Sequence, residues 1–511
     1  GLATAAPRRI PGEMYFEKEL SNIGIKLAKK LNEKYPDDNF PKFHFLYRQR
    51  EWNEKEECYL GWERKRGLLT QFNEYILKKS KSEFRVNTID LNKIPKIKYI
   101  ITLDADTELV LNTGLELIGA MSHILNKPEI ENGIVKHGHG IIQPRVGISL
   151  LAASKTEFTR IYSISPGTDS YTNAISDVYQ DNFEEGIYTG KGIYDLQVFS
   201  ELLKDEIPEN TVLSHDLIEG SYLRCGLSSD IVLMDGYPTS YLSFRTRLSR
   251  WTRGDWQIAR WLKRKIKDKD GVKKNNPLGI VSKYKILDNL VKSVSQPIVL
   301  VGILFFLVMK MVLNIKIWPI IGFIILSVII SSVIEILNRI IYKKEGQTVQ
   351  RTFDRTITGA KASFIRAILE IGTLPDKSYE LVKAITKSIY RMCKSKKHLL
   401  EWITAEEAEK NSKTDLLSHY KSMWMNVLLG IVILLFMYEN PLAILLSIIW
   451  FITPGVMSYI SKKEEEIVPM DYVNKKDQEF LLEVGQRTWN FFKENLTKKS
   501  NFLPPDNYQE D

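Results

Sequence analysis

Two aspartates, Asp104 and Asp106, stand one residue apart after an apolar run in residues 99–108. The run has the length and composition of a buried strand, and α/β sheets bind ligands beyond the carboxyl ends of their strands. Because alternate residues of an extended chain point the same way, both carboxylates can face one ligand. Carboxylate oxygens are hard ligands that suit Mg²⁺ or Mn²⁺ carrying a phosphate. The pair therefore predicts a metal-bound phosphorylated substrate.

A third carboxylate, Asp216, stands among apolar residues before a glycine in residues 212–220. A fixed carboxylate can act as a general base by deprotonating a sugar hydroxyl as it attacks. Asp216 or Ser214 could instead cap a helix, and this stretch alone favours neither interpretation. We interpret His215, taken alone, as structural or orienting rather than catalytic.

Four arginines surround Trp251 in residues 245–254. Arginines such as Arg250 can clamp a phosphate in a bidentate way, and Trp251 offers a face on which a sugar can stack. Arg and Trp are also favoured at membrane boundaries, and the stretch taken alone favours such an interfacial anchor.

Two further stretches give weaker signals. Lys65 belongs to a basic turn in residues 61–67, whose cations could meet a diphosphate or form a solvated helix start. Gly190 belongs to a glycine turn in residues 189–195, where the backbone can approach a ligand closely. Most such turns are only turns, so neither stretch identifies a function by itself.

The composition excludes several classes of protein. With 511 residues, 44% of them hydrophobic, the chain can form two or three domains with a sizeable core. Its net charge of +9 comes from basic residues beside apolar runs, which favours a membrane surface over nucleic acid. Cys58, Cys225 and Cys393 are too far apart for a disulfide framework or zinc site. The start lacks a signal-peptide core and an initiator Met, so we expect a piece of a longer polypeptide.

Helix and strand patterns alternate up to about Pro238, which fits a doubly wound α/β domain. Basic residues then flank apolar runs at 294–313 and 318–337, each long enough to cross a bilayer as a helix. A second pair of apolar runs covers 424–437 and 441–460. The predicted segments are an α/β domain (1–243), a basic interfacial segment (244–293), a transmembrane hairpin (294–337), basic interfacial helices (338–421), a second transmembrane hairpin (422–460) and the start of a downstream region (461–511).

The basic stretch 342–421 indicates an orientation in the membrane. Its amphipathic pattern is typical of helices lying on a membrane surface, and we expect a break at Gly372 and Pro375. The positive-inside rule places this stretch, the α/β domain and the tail on the cytoplasmic side. The sequence thus predicts a multi-pass protein of the cytoplasmic (inner) membrane, with its catalytic domain facing the cytoplasm.

The order of these motifs along the chain resembles that of a known family of enzymes. Asp104-x-Asp106, then His215-Asp216, then Arg250-Trp251 before a membrane hairpin resembles processive family 2-type glycosyltransferases such as cellulose and hyaluronan synthases. The glycosyltransferase region of cyclic β-1,2-glucan synthases is a closer match, over roughly residues 43–511. The motifs that look like that family are Gly61-Trp62-Glu63-Arg64-Lys65-Arg66-Gly67, Gln143-Pro144-Arg145-Val146, Asp177-Val178-Tyr179-Gln180-Asp181, Gly190-Lys191-Gly192-Ile193-Tyr194-Asp195, Arg487-Thr488-Trp489 and Leu503-Pro504-Pro505-Asp506.

The resemblance implies a GT-A-like fold and an inverting transfer of glucose from UDP-glucose to a growing β-1,2-glucan. It implies that Mg²⁺ or Mn²⁺ binds to the Asp pair and that Asp216 is the general base. It also implies downstream glycosidase-like and phosphorylase-like regions in a longer polypeptide, contact with the lipid bilayer, and no nucleic-acid partner. The implied site residues are Asp104, Asp106, Lys65 and Arg250 for the donor, and Trp251, Gly190 and Asp195 for the acceptor.

Two stretches compete for the family's QxxRW motif. The chain has Arg247 where the first stretch should have Gln, and it has a literal match at Gln257 to Trp261. The second stretch lacks the Arg-Gly that follows Trp251-Thr252, so we prefer the first.

Two other classes of protein compete with the transferase. A HAD-type phosphatase would use Asp104 of the DxDxT stretch as a nucleophile, but it needs a later Lys and an acidic pair that we cannot assign. A non-catalytic membrane or transport protein is the other alternative. Four modest spans without convincing intramembrane charges argue against transport, although a polymer channel beside the site is compatible with a synthase.

Overall fold

A computed structural model describes residues 2–4, 15–37, 40–77, 83–163, 177–313, 349–401, 405–462, 474–498 and 501–504, with four isolated positions between 322 and 334. The chain forms two compact units, residues 1–462 and 463–511.

The described α-helices share one numbering in chain order. They are α1 (Tyr15–Lys34), α2 (Arg64–Ile76), α3 (Thr113–Ser122), α4 (Leu150–Ser154), α5 (Glu157–Ser163), α6 (Val178–Phe183), α7 (Leu196–Leu203), α8 (Asp216–Tyr222), α9 (Tyr241–Ile258), α10 (Ile280–Leu313), α11 (Val349–Tyr390), α12 (Ala405–Asn411), α13 (Leu416–Ser422), α14 (Trp424–Met437), α15 (Pro441–Ile460) and, in the second unit, α16 (Lys475–Asn495).

The described strands contain between 2 and 10 residues. They are β1 (Leu2–Thr4), β2 (Leu46–Arg48), β3 (Glu51–Asn53), β4 (Cys58–Leu60), β5 (Phe84–Asn87), β6 (Tyr99–Thr102), β7 (Glu108–Leu109), β8 (Glu129–Glu131), β9 (Ile134–His137), β10 (Ile141–Ile148), β11 (Gly192–Asp195), β12 (Gly226–Asp235), β13 (Lys265–Lys267) and β14 (Lys273–Asn275).

A five-stranded sheet of order β6-β11-β10-β12-β7 organises the first part of the chain. The mixed α/β class is confirmed. Only β10 and β12 pair in parallel here, whereas β11 runs antiparallel to both neighbours, so the sheet is mixed rather than parallel and doubly wound. Gly192 pairs with Thr102, and Asp195 pairs with Tyr99. This register places the turn before β11 beside the end of β6, where the Asp pair follows.

Helices cover both faces of this sheet. Successive residues of a strand point to opposite faces, and both Ile193 and Tyr194 of β11 are fully buried. Ile193 belongs to a hydrophobic cluster with Leu117 of α3, and the Tyr194 ring lies 4.3 Å from that of Phe199 on α7. Burial on both faces fixes β11, and with it the turn that precedes it.

Helix α11 runs without interruption through Gly372 and Pro375, so the predicted break is wrong. Proline leaves the Ile371 carbonyl without its helical N–H donor, and the Trp450 indole N–H of α15 donates to it instead, at 3.0 Å. The Asn426 amide of α14 accepts from the Asp376 N–H at 2.9 Å and donates to the Gly372 carbonyl at 2.7 Å. Two neighbouring helices thus satisfy the backbone groups that the proline region leaves open.

Two described helices, α10 and α15, are long and apolar enough to cross a membrane. A third span results only if α13 and α14, bent by 70° at their junction, are counted together. Helices α14 and α15 begin and end as the sequence predicts. The predicted run 294–313 is the second part of the longer α10, and its hairpin partner at 318–337 lies outside the described residues, apart from isolated positions. The helices support a membrane protein.

Candidate active site

Asp104 and Asp106 lie just beyond the end of β6, as the sequence predicts. The Thr107 N–H donates to the Asp104 carbonyl at 3.1 Å, which closes a tight turn. Asp106 is exposed and lies beside Gly236, which directly follows β12. The ends of β6 and β12 therefore meet at one rim of the sheet.

Two lysines neutralise Asp104. Lys65 Nζ lies 2.5 Å from its Oδ1, and Lys191 Nζ lies 3.5 Å from its Oδ2. Lys191 also forms an ion pair with Asp235, the last residue of β12, which accepts a hydrogen bond from Thr107 at 3.1 Å. Burial alone would raise the pKa of Asp104, but Lys65 and Lys191 outweigh it and hold the pKa below its usual value.

Three aspartates at this rim carry oxygen ligands of the kind that divalent cations prefer. Asp104, Asp106 and Asp235 offer only oxygen ligands, and Asp106 is exposed. Mg²⁺ or Mn²⁺ there would neutralise charge on a bound diphosphate. The binding of Mg²⁺ or Mn²⁺ by Asp104 and Asp106 stays a prediction.

A buried arginine holds the turn that carries Lys65. Arg48 Nη1 donates to the Trp62 carbonyl and Nη2 donates to the Arg64 carbonyl, both at 2.7 Å. Glu63 and Arg64 both have left-handed backbone, with φ of 48° and 52°, which costs on the order of 1 kcal/mol or more per residue. The hydrogen bonds from Arg48 stabilise this unusual turn and fix Lys65 at the start of α2.

Asp216 is the first residue of α8 and lies against the Gly190 turn. A Cβ on Gly190 would come within 2.9 Å of Asp216 Oδ1, and Gly190 has a φ of 90°, so both space and backbone require glycine there. The Asp216 side chain is 28% exposed. Burial raises its pKa, although His215 and Lys65 partly offset the shift, and a raised pKa suits a general base. The residue before α8 is His215, whose side chain makes no capping hydrogen bond.

His215 lies between two carboxylates. Its Nδ1 is 2.8 Å from Glu219 Oε1 and 3.6 Å from Asp216 Oδ1, and both His215 and Glu219 are buried. Burial opposes a charge on His215, but Glu219 and Asp216 outweigh it and raise its pKa. These three side chains are also the one group of three possible metal ligands in the described residues. An orienting role for His215 matches this geometry.

Helix α9 brings the arginine-rich stretch to the same site. Its Gly254 packs on Ser214 so closely that a Cβ would come within 2.5 Å of the serine Cβ. Arg250 is buried, which lowers its pKa to about 10 with help from Arg247 and Arg253, so it remains charged at neutral pH. The Arg247 guanidinium lies 4.6 Å from the centre of the Trp251 ring.

The literal QxxRW stretch has structural contacts instead. Gln257 accepts from the Leu213 N–H at 2.7 Å and donates to the Leu399 carbonyl at 2.9 Å. Trp261 is fully buried in the largest hydrophobic cluster. Both side chains are therefore buried in structural contacts and are not available to a ligand.

Asp195 lies away from the rim. It stands at the far end of β11 from Gly190, about 10 Å along the strand. Its carboxylate caps α7 by accepting from the Gln197 and Val198 N–H groups. Its predicted contact with an acceptor has no support in this position.

Sequence reasoning missed Lys191, Asp235 and Glu219 as members of the site. Asp235 carried a signal, because it follows an apolar strand and precedes a glycine, much as Asp104 follows β6. Lys191 belongs to the glycine turn of residues 189–195, which was interpreted only as a place where the backbone can approach a ligand. The positive charge of Lys191 was therefore not considered. Nothing local distinguished Glu219 from a surface glutamate on a helix.

No protein-family model matches the chain. The chain is similar to the cyclic beta-(1,2)-glucan synthase NdvB of Rhizobium meliloti (strain 1021), with 31% identity over 492 residues. That match covers 94% of this chain and 17% of the relative, so the chain spans less than a fifth of the relative's length. The similarity confirms the resemblance drawn from the motifs and supports glucan synthesis rather than the phosphatase alternative.

Proposed function

We propose that this chain is the glycosyltransferase region of a membrane-bound cyclic β-1,2-glucan synthase. It transfers glucose from UDP-glucose to the 2-hydroxyl of a growing glucan, with inversion at the anomeric carbon. The sheet domain is of the GT-A type and faces the cytoplasm of a multi-pass membrane protein. Downstream glycosidase-like and phosphorylase-like regions belong to the same longer polypeptide.

The turn at Gly190 is the observation that carries the proposal. Lys65 donates to the Gly190 carbonyl at 2.9 Å and to Asp104 at 2.5 Å, while Asp216 lies on the other side of the same glycine. The residues that would bind the charged donor and the candidate base therefore lie on either side of a single residue, Gly190. A sugar transfer needs both within reach of a single anomeric carbon.

The chemistry follows from these positions. Asp216 accepts the proton of the acceptor hydroxyl as that oxygen attacks the anomeric carbon. The bond from the anomeric carbon to the diphosphate oxygen breaks, and a single displacement gives inversion. Mg²⁺ or Mn²⁺ on Asp104 and Asp106 would neutralise the departing diphosphate. Lys65 and Arg250 add fixed positive charge, which stabilises the leaving group without reorganisation.

The test uses membranes that hold the longer protein and a set of radiolabelled UDP-sugars. We expect label from UDP-glucose in a polymer, and no polymer from the Asp216→Asn variant, whose UDP binding stays close to that of wild type. Asp230→Asn, an exposed aspartate on β12, is the matched control and keeps activity. Release of phosphate from phosphomonoesters without sugar transfer would contradict the proposal, and loss of UDP binding in Asp216→Asn would assign that residue to the donor.

A further inference from the structure

Helix α3 carries apolar side chains beyond the face that it buries. On the inner face, Leu117 and Met121 belong to a hydrophobic cluster against the five-stranded sheet. Elsewhere on the helix Leu115 is 72% and Ile118 is 42% exposed, and Glu116 is the only charged residue of α3. A surface helix normally presents charged and polar residues to water, whereas a helix that is apolar around most of its circumference is normally covered. The outer side of α3 therefore lacks the composition of a solvated surface.

Apolar residues at both ends of α3 enlarge this exposed surface. Leu111 precedes the helix, and Ile124 and Leu125 follow it in a short 3₁₀ turn. Their side chains are 87%, 81% and 79% exposed. Leu111, Leu115, Ile118, Ile124 and Leu125 together are called the α3 patch below. Single exposed apolar residues are ordinary, but several along one short element mark an interaction site.

The α3 patch lies in an acidic part of a basic chain. Residues 103–131 contain six acids and one lysine, although the whole chain has a net charge of +9. Glu108, Glu116, Glu129 and Glu131 are exposed. The cytoplasmic surface of a membrane is negative and attracts basic segments, so lipid is a poor partner for this surface. An apolar surface rimmed by Lys or Arg complements it in both hydrophobicity and charge.

The size of the α3 patch favours a partner on the same polypeptide. A stable interface between two free proteins takes about 20–30 residues a side, and five apolar residues suit a weaker contact. A tethered domain meets such a surface at an effective concentration near millimolar, so a weak contact is enough to hold it. The chain spans 17% of its relative, so most of a polypeptide of that length lies outside this chain.

We infer that the α3 patch docks a downstream domain of the same longer polypeptide, one that presents an apolar surface rimmed by Lys or Arg. This inference rests on the proposed function, which places further regions after the transferase. Strand β7 links Asp106 of the rim to Leu111 of the patch, and five residues of chain span at most about 18 Å. The docked domain therefore borders the proposed donor site.

Photo-crosslinking tests the inference in membranes that hold the longer polypeptide. The photoreactive residue p-benzoylphenylalanine replaces Leu125 in the test variant and Val272, an exposed apolar residue outside the patch, in the matched control. We expect the probe at position 125 to crosslink to a peptide beyond residue 511, and the probe at position 272 to give no such product. Adding Leu115→Glu to the test variant is expected to lower the yield about tenfold, because it places a charge in an apolar contact. Leu115→Met keeps the contact apolar and should retain the yield.

A mixture of unlabelled and ¹⁵N-labelled polypeptides shows whether the crosslinked peptides come from one copy. Crosslinks between labelled and unlabelled peptides assign the patch to a second copy, and adducts with lipid assign it to the membrane; either result overturns the inference. Absence of a crosslink from position 125, or an undiminished yield with Leu115→Glu, overturns it as well. The crosslink needs no sugar transfer, so the proposed function fails separately, through absence of polymer from wild-type membranes. Polymer without the crosslink contradicts only the inference.

Discussion

Lys65 Nζ lies 2.5 Å from Asp104 Oδ1, so a lysine occupies an oxygen that the proposed metal site requires. Cation and lysine compete for this oxygen when no nucleotide is bound, whereas a bound diphosphate gives the ammonium a new anionic partner. We expect Lys65→Met to bind Mn²⁺ alone more tightly and UDP-glucose about tenfold more weakly, measured by calorimetry. Lys204→Met removes a surface ion pair with Glu74 and is expected to change neither affinity. Parallel weakening of both ligands would contradict the competition.

The buried pair of His215 and Glu219 predicts a pH-dependent stability. The pKa of His215 is raised in the folded chain, so its stabilising contribution is complete below about pH 6.5 and is lost as the pH rises through the folded pKa. Glu219→Gln removes the main partner and is expected to cost on the order of 2 kcal/mol at acidic pH. The difference in unfolding midpoint from wild type should shrink as the pH rises. Glu201→Gln, an exposed change on α7, should show no such trend. A difference independent of pH would exclude a charged His215.

Asn426 bridges the donor and the acceptor of one i→i−4 backbone pair of α11, which makes it sensitive to an apolar substitution of similar size. Asn426→Leu leaves the Asp376 N–H and the Gly372 carbonyl unsatisfied and buried, at a cost of about 2–4 kcal/mol. We expect a lower unfolding midpoint in detergent and a loss of transferase activity. Asn440→Leu, which removes only the cap of α15, should cost about 1 kcal/mol. Similar effects of the two variants would contradict the bridging role.

The three cysteines should differ in reactivity towards maleimide. Burial raises the pKa of Cys225 to about 12, so at pH 8 its thiolate fraction is roughly 10⁻⁴, whereas Cys393 is exposed. We expect fast labelling that disappears in Cys393→Ser, and labelling of Cys225 only after unfolding. Mass spectrometry of peptides identifies the labelled site. Rapid labelling of Cys225 in the native chain would contradict its burial.

Sequence patterns predicted those features of the structure that depend on residues close together in the chain. The carboxylates after β6 were predictable because a strand ends where its apolar run ends. Helices α14 and α15 were predictable because two apolar runs are separated by a tight polar turn. In each case the signal and the structure involve the same few residues.

The remaining features depend on residues far apart in the chain. Lys191 reaches Asp104 only because β11 pairs antiparallel with β6, and the pattern of β11 does not specify its direction. Pro375 predicted a break in α11 that the structure does not have. The residues that satisfy the open backbone groups, Asn426 and Trp450, lie some 50 and 75 positions later in the chain, so the local sequence does not reveal them. Tertiary contacts of this kind override local rules.

The polar contacts around Pro375 also give the chain an order of assembly. Asp376 accepts from Arg245 and Tyr241 of α9, each at 2.7 Å, and its own backbone is completed by Asn426. A ribosome makes α9 and α11 long before it makes α14 and α15. Asn426 of α14 is therefore the last part of this clamp to be synthesised. During biosynthesis the clamp on the arginine helix stays incomplete until the chain has emerged beyond residue 426.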